Sequence, residues 1–175
     1  DVRNFFPHKQ YIGADMRQGP GVDVIADLHD LHLTDASVGT ALMLDTLEHV
    51  EFPRRAMENV YRVLSPQGIV IMSSVMNFPI HDTPCDYWRF TPEAFKSLLS
   101  PFPLILVDFA GEDAFPHTVV GIGFKGSIPE NTINNLKKDI EVWKNFWSNA
   151  TSSGWKRMIK IVVSSLRLEM YYKKR

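Results

Sequence analysis

Asp45, Glu48 and His49 follow directly on the apolar run Val38 to Leu44, and His81, Asp82, Asp86, Tyr87, Trp88 and Arg89 crowd a later irregular stretch. Carboxylates accept hydrogen bonds from hydroxyls, and imidazoles exchange protons near neutral pH. His81 is the candidate base for removing a proton from a hydroxyl, with His49 behind it. His49 can hold a ligand or help fix the loop and helix start, the structural role being the favoured one, and Glu48 can be an acid stabilised by a helix N-terminus. The rings of Tyr87 and Trp88 can stack on a sugar face, while Asp86 and Arg89 can meet polar or anionic groups of an acceptor. In the competing reading Trp88 and Phe90 anchor the loop to the core, and Arg89 pairs with Asp86 or Asp82. His29, Asp30 and His32 make a ligand set on paper, but two histidines three apart in a polar loop are a weak signal. No metal site is expected.

The elements that must hold these residues follow from periodicity. Val38 to Leu44 reads as a buried strand, Pro53 to Leu64 as a helix and Ile69 to Val75 as a strand, so the two strands should be parallel neighbours. Ligands in such sheets bind where strands end, which places Asp45, Glu48 and His49 at the natural corner. In the helix Ala56, Met57, Val60, Val63 and Leu64 form one apolar face, and Glu58 and Arg62 have the spacing of a helical ion pair. Ser65 to Gly68 reads as a turn whose glycine takes positive φ to end the helix. Upstream, Tyr11 to Ala14 and Val22 to Ala26 read as short strands closing on Asp15 and Asp27. Downstream, Thr91 should cap a short helix with Pro92 in its first turn. Leu104 to Ala110 and Thr118 to Phe124 are too close in sequence for a crossover and should pair antiparallel. Leu136, Ile140, Trp143 and Trp147 predict a further helix.

Charge is unevenly distributed. The net charge of −1 combines nine basic and sixteen acidic residues in 1–125 with ten basic and four acidic residues in 126–175. This predicts a body over 1–125 and a helical basic extension over 126–175. Between Trp155 and Tyr172, Arg157, Lys160, Ser164 and Arg167 share a stripe of an amphipathic helix that suits an anionic membrane surface; packing across the body or a homodimer interface is the alternative. The single cysteine, Cys85, excludes an internal disulfide and suits a cytoplasmic setting, with membrane association through the basic tail as the further expectation. No apolar run reaches the roughly 18 residues that crossing a bilayer requires. No nucleic-acid partner is expected.

Taken together, these features resemble a class I S-adenosylmethionine-dependent methyltransferase. They comprise strands closing on Asp15 and Asp27, a strand followed by Asp45 to His49, a helix, a glycine turn, a strand and a terminal hairpin. The phrase LEHVEFPRRAMENVYRVLSPQGIVIM is similar to the segment that follows the cofactor site in the small-molecule, type 11-like branch of that family. FPIHDTPCDYWRFTPEAF resembles a loop of members associated with polysaccharide and lipid-glycan biosynthesis. The resemblance covers about residues 10 to 125 and implies an α/β Rossmann-like sheet, mostly parallel, with an antiparallel C-terminal hairpin and C-terminal helices. It assigns Asp15 to the ribose hydroxyls of S-adenosylmethionine, Met16 to the adenine face, and Asp27 and Leu28 to the adenine edge. Leu44 and Asp45 would lie beside the methionine moiety and the methyl group. An Asp after a strand is also a common turn former or helix cap, so Asp15 and Asp27 have a structural reading as well.

One family element is absent: the first strand with its glycine-rich loop, which should stand directly before Asp1. That strand is central to the sheet. Each unpaired buried backbone group costs about 1–3 kcal/mol, and several together would exceed the 5–15 kcal/mol (roughly) that holds a domain. The expectation is therefore that the chain is a fragment of a longer protein, or that another segment or subunit fills the gap. Methyl transfer to a small-molecule or glycan- or lipid-linked acceptor, at oxygen, is the leading reading. A non-catalytic methyltransferase-like module that binds a partner or membrane through its tail is the second, and a nicotinamide dehydrogenase fits the fold but not the Leu-Glu-His-Val segment.

Overall fold

A computed structural model describes residues 2–6, 10–81 and 85–147. The basic stretch predicted to be helical between Trp155 and Tyr172 lies outside the described residues. Nine elements organise the remainder: β1 (Ala14–Asp15), β2 (Val24–Ile25), β3 (Val38–Leu44), α1 (Pro53–Val63), β4 (Leu64–Val75), α2 (Pro92–Leu98), β5 (Leu104–Glu112), β6 (Phe115–Phe124) and α3 (Glu130–Trp147). Three short 3-10 turns accompany them, at Arg3–Phe5, Leu28–Asp30 and Leu47–His49.

The strands form two sheets. β3, β4, β6 and β5 stand side by side in that order, with β3 and β4 parallel and β6 antiparallel to both its neighbours. β1 and β2 pair only with each other, in parallel, and no ladder joins them to β3 among the described residues. The interruption expected between the Asp15 strand and the Leu44 strand is thus present. β1 and β2 are shorter than predicted, two residues each. A short link suffices for this parallel pair because polar bonds hold it: Asp23 Oδ2 accepts from Gly13 N and Arg3 Nη2, both at 2.7 Å, and Arg3 Nη2 also donates to Gly21 O. A side chain at Gly13 would strike the Gly21 carbonyl, its Cβ only 1.9 Å from that oxygen.

The larger sheet is covered on both faces. Against one lie α1 and α2, with Ala56, Met57, Val60, Phe95, Leu98 and Leu99 packed on Met43, Val70, Met72 and Val119. Against the other lies α3, whose Ile133, Leu136, Ile140 and Trp143 cover Ile69, Ile71, Val120 and Ile122. This is the α/β layering expected of strands that alternate with helices. α2 sits very close to the sheet. A Cβ at Gly121 would come within 2.9 Å of Leu99 Cδ1 and 3.0 Å of Phe95 Cδ2, and one at Gly123 within 2.8 Å of Phe102 Cγ.

Two local expectations are corrected. Gly68 does not take positive φ; β4 begins at Leu64, directly after α1, and runs through Ser65 to Gly68 with a register irregularity opposite Val38 and Thr40. Glycine is needed there for space, since a Cβ would lie 2.8 Å from Ser65 O. Lys125 does the capping instead, its Nζ donating to the carbonyls of Tyr61 at 2.8 Å and Leu64 at 2.7 Å. Nor does Arg62 pair with Glu58: it reaches off the helix to Asp35 and to the carbonyls of Leu31 (2.5 Å) and Leu33 (3.0 Å), binding the β2–β3 connection to α1. By contrast, Thr91 caps α2 as predicted, Oγ1 accepting from Ala94 N at 3.2 Å.

Candidate functional site

Where β3 ends, the backbone turns sharply. Asp45 has φ 48°, a left-handed conformation that Asp tolerates better than most residues. Ser73 of β4 holds it there: Asp45 N donates to Ser73 O at 3.0 Å and lies 3.1 Å from Ser73 Oγ, which donates to Asp45 Oδ1 at 2.9 Å. Its carboxylate is thereby fixed at the carboxyl end of β3.

The Leu47–His49 turn that follows sends neighbouring side chains in opposite directions. Glu48 points into the protein, 1% exposed, where Ser74 Oγ donates to its Oε2 at 2.8 Å while Oε1 has no hydrogen-bond partner among the described residues. Burial pushes its carboxyl pKa up, partly opposed by hydrogen bonds from its own backbone and from Ser74. The helix-terminus reading of Glu48 thus gives way to a core acid. His49 points toward the loop after β4, with Nδ1 2.6 Å from Cys85 O. Its Nε2 lies 3.2 Å from Nε2 of His81, the rings nearly perpendicular with centroids 4.8 Å apart. The structure therefore brings His49 and His81 together.

The loop itself is laced to the turn. Tyr87 N and Trp88 N both donate to Glu48 O, at 2.8 and 3.2 Å, and Trp88 Nε1 donates to Val50 O at 2.9 Å. Trp88 is thus anchored by its nitrogen, yet it and Tyr87 remain 43% and 45% exposed, leaving ring surface for a ligand. Arg89 differs. Its five N–H groups meet Phe78 O, Trp88 O, Pro79 O and both oxygens of Asp86, so no donor remains for an anionic acceptor. Asp86 is equally committed, accepting also from His81 N at 2.6 Å. Arg89 beside it holds the Asp86 carboxyl well below the usual range. Asp86 and Arg89 thus form an internal clamp, the pairing that the competing reading of Arg89 named.

On the other sheet, Asp15 ends β1 on an exposed residue, its Oδ1 accepting from Arg17 N at 2.8 Å, and Met16 beside it is 54% exposed. Asp27 caps the Leu28–Asp30 turn: Oδ1 accepts from His29 N and from His29 Nδ1, both at 2.8 Å, and these bonds hold its pKa down. His29 Nε2 accepts from Phe52 N at 3.1 Å, which fixes the tautomer and spends both ring nitrogens on structure. No metal ligand therefore remains on His29. Leu28 O accepts from Asn59 Nδ2 at 3.1 Å, so this turn is docked on α1.

Sequence reasoning missed Ser73, Ser74 and the Cys85 carbonyl. Two adjacent serines inside the otherwise apolar run Ile69 to Val75 were the available signal, since a buried hydroxyl needs a partner. Nothing local marked the Cys85 carbonyl.

A family profile described as a methyltransferase domain matches residues 8–72. No curated protein sequence matches the chain. Among solved structures, an S-adenosylmethionine-dependent methyltransferase from Archaeoglobus fulgidus superposes with a TM-score of 0.53 at 14% identity, over 65% of this chain and 75% of its own. The Burkholderia thailandensis 1,6-didemethyltoxoflavin-N1-methyltransferase, solved with 1,6-didemethyltoxoflavin and S-adenosylhomocysteine, gives 0.52 at 17% identity, over 65% of this chain and 60% of its own. A third, from Thermotoga maritima, gives 0.48 at 22% identity, over 60% of this chain and 65% of its own. The chain thus spans less than two thirds of the length of the last two. At these identities the likeness speaks for the fold.

Proposed function

We propose that the chain is a class I S-adenosylmethionine-dependent methyltransferase, as the match of residues 8–72 to a methyltransferase-domain profile supports, and that it serves methyl transfer to a small-molecule or glycan- or lipid-linked acceptor, at oxygen. The observation that carries this reading is the corner at Asp45, locked by Ser73 at the carboxyl end of β3 beside the paired imidazoles. Such corners are where α/β sheets bind ligands.

The chain's own groups suit S-adenosylmethionine, which when bound supplies an electrophilic methyl group. Asp15 is exposed and accepts well from vicinal hydroxyls, and the exposed thioether of Met16 offers apolar cover to an adenine. Asp27 keeps one carboxylate oxygen beyond its cap, next to Leu28. Leu44 and Asp45 flank the reacting end. The exposed rings of Tyr87 and Trp88 hold the acceptor, and His81, with His49 behind it, takes the acceptor proton onto Nε2. The clamp of Asp86 and Arg89 acts indirectly, by holding His81 and the aromatic pair in place.

Calorimetric titration of the chain with S-adenosylmethionine tests the reading. Micromolar binding that weakens about tenfold or more in Asp15→Asn is expected, because a charge-assisted pair of hydroxyl bonds is lost. No heat at millimolar ligand would overturn it and leave the binding-module alternative. For the tail, the seven basic residues after Gly154 against the lone Glu169 suit an anionic membrane surface. Co-sedimentation with anionic but not neutral vesicles is expected; equal recovery with both rejects the idea. No helix among the described residues is long and apolar enough to cross a membrane.

A further inference from the structure

The Nε2 atoms of His49 and His81 face each other beside a buried carboxylate. His49 Nδ1 faces the Cys85 carbonyl at 2.6 Å, an acceptor only, so Nδ1 carries the hydrogen and the lone pair of the neutral ring sits on Nε2. His81 Nδ1 faces Asp86 Oδ2 at 3.2 Å and Pro79 O at 3.3 Å, acceptors again, which puts its lone pair on Nε2 as well. These two nitrogens confront each other at 3.2 Å. Two lone pairs at that separation repel unless a cation lies between them. Beside them stands Glu48, buried, with Oε1 lacking any hydrogen-bond partner among the described residues, and one ligand atom from each of the three residues falls within 4.8 Å of the others.

We propose that Glu48, His49 and His81 form a binding site for a divalent transition-metal cation of the zinc class. Nitrogens bound to one tetrahedral ion at about 2.0–2.1 Å stand roughly 3.3 Å apart, close to the spacing already present between the imidazoles. Each histidine donates its other N–H to a carbonyl or carboxylate, and Ser74 donates to the far oxygen of Glu48. Such outer partners orient metal ligands and raise their basicity. Imidazole nitrogens disfavour magnesium and calcium, which take oxygen ligands. Three protein ligands leave a fourth position for water or an acceptor oxygen. The proposal shares its imidazoles with the methyl-transfer reading but does not depend on it. A cation held on both Nε2 atoms leaves neither nitrogen free to take a proton, so the filled and base-competent states exclude each other.

The test is titration of the chelator-treated full chain with Co²⁺, followed by visible absorption, and with Zn²⁺, followed by calorimetry. One ion per chain is expected, with the intense d–d bands of a four- or five-coordinate nitrogen and oxygen site, and Mg²⁺ in excess should not displace it. His81→Asn, on a partly exposed loop, should weaken binding about tenfold or more. Glu48→Gln, checked for folding by circular dichroism, should do the same, while His32→Asn on the exposed Asp30–His32 pair should leave affinity unchanged. Absence of stoichiometric binding by the folded chain, or undiminished affinity in His81→Asn, overturns the proposal. S-adenosylmethionine titration of the same sample reports on the cofactor reading separately.

Discussion

The β1–β2 half and the four-stranded half of this protein are held by different physics. β1 and β2 are two residues each, Ile25 is 53% exposed and Met16 54%, and their order comes from the Arg3, Asp23 and Gly21 bonds. In the other half β4 is buried from Gly68 through Val75 between α1 and α2 on one side and α3 on the other. Apolar burial fixes the half that carries Asp45, Glu48 and the imidazoles, where angstrom-level placement matters to chemistry. Polar clamps hold the half proposed to meet the nucleoside, where exposed apolar surface is left for a ligand to cover.

The sharpest way to break this comparison is to truncate one side chain in each half. Phe95→Ala, at a fully buried position, should cost about 3–5 kcal/mol in a denaturant melt, whereas Ile25→Ala should stay within about 0.5 kcal/mol. Equal losses would show that the halves are not distinct. Ser74→Ala removes the hydroxyl that donates to a buried acid and should destabilise by about 1–3 kcal/mol, read as a shift in the same midpoint without a change in slope. Asp45→Gly separates position from chemistry. The relaxed backbone should hold or raise stability by about 1 kcal/mol while S-adenosylmethionine affinity falls, and a rise in affinity would count against the corner as a ligand site. Lys144→Met should cost the least, about 0.5 kcal/mol, by removing the 2.9 Å pair with Asp108 that ties α3 to β5. That pair raises the Lys144 pKa, so its contribution is intact below the ordinary lysine range. It should fade as pH rises through the raised value.

What could be read beforehand follows the same division. β3, α1 and α2 were legible because their apolar periodicity is strong and Thr91 and Pro92 mark a helix start. β1 and β2 came out shorter than the apolar runs suggested because, among the described residues, no neighbouring strand extends their ladder. The end of α1 was misread at Gly68, since the capping group, Lys125, is sixty-one residues from Leu64 in the chain. Arg62 was misassigned for a related reason: three acceptors from the β2–β3 connection outcompete one exposed glutamate. Within the site, Asp45, His49 and His81 were legible as residue types at a strand end. Their mutual geometry was not, because it depends on a main-chain carbonyl at Cys85 and an aspartate whose partner choice only the folded loop settles.

Gly121 and Gly123 carry a mechanical implication. Without side chains there, α2 rests almost on the strand surface, and Thr91 at its head continues directly into the segment that bears Trp88, Arg89 and Asp86. A single added methyl would act as a shim beneath Phe95 and Leu99, lifting the helix and, through it, the distant ledge on which the imidazoles meet.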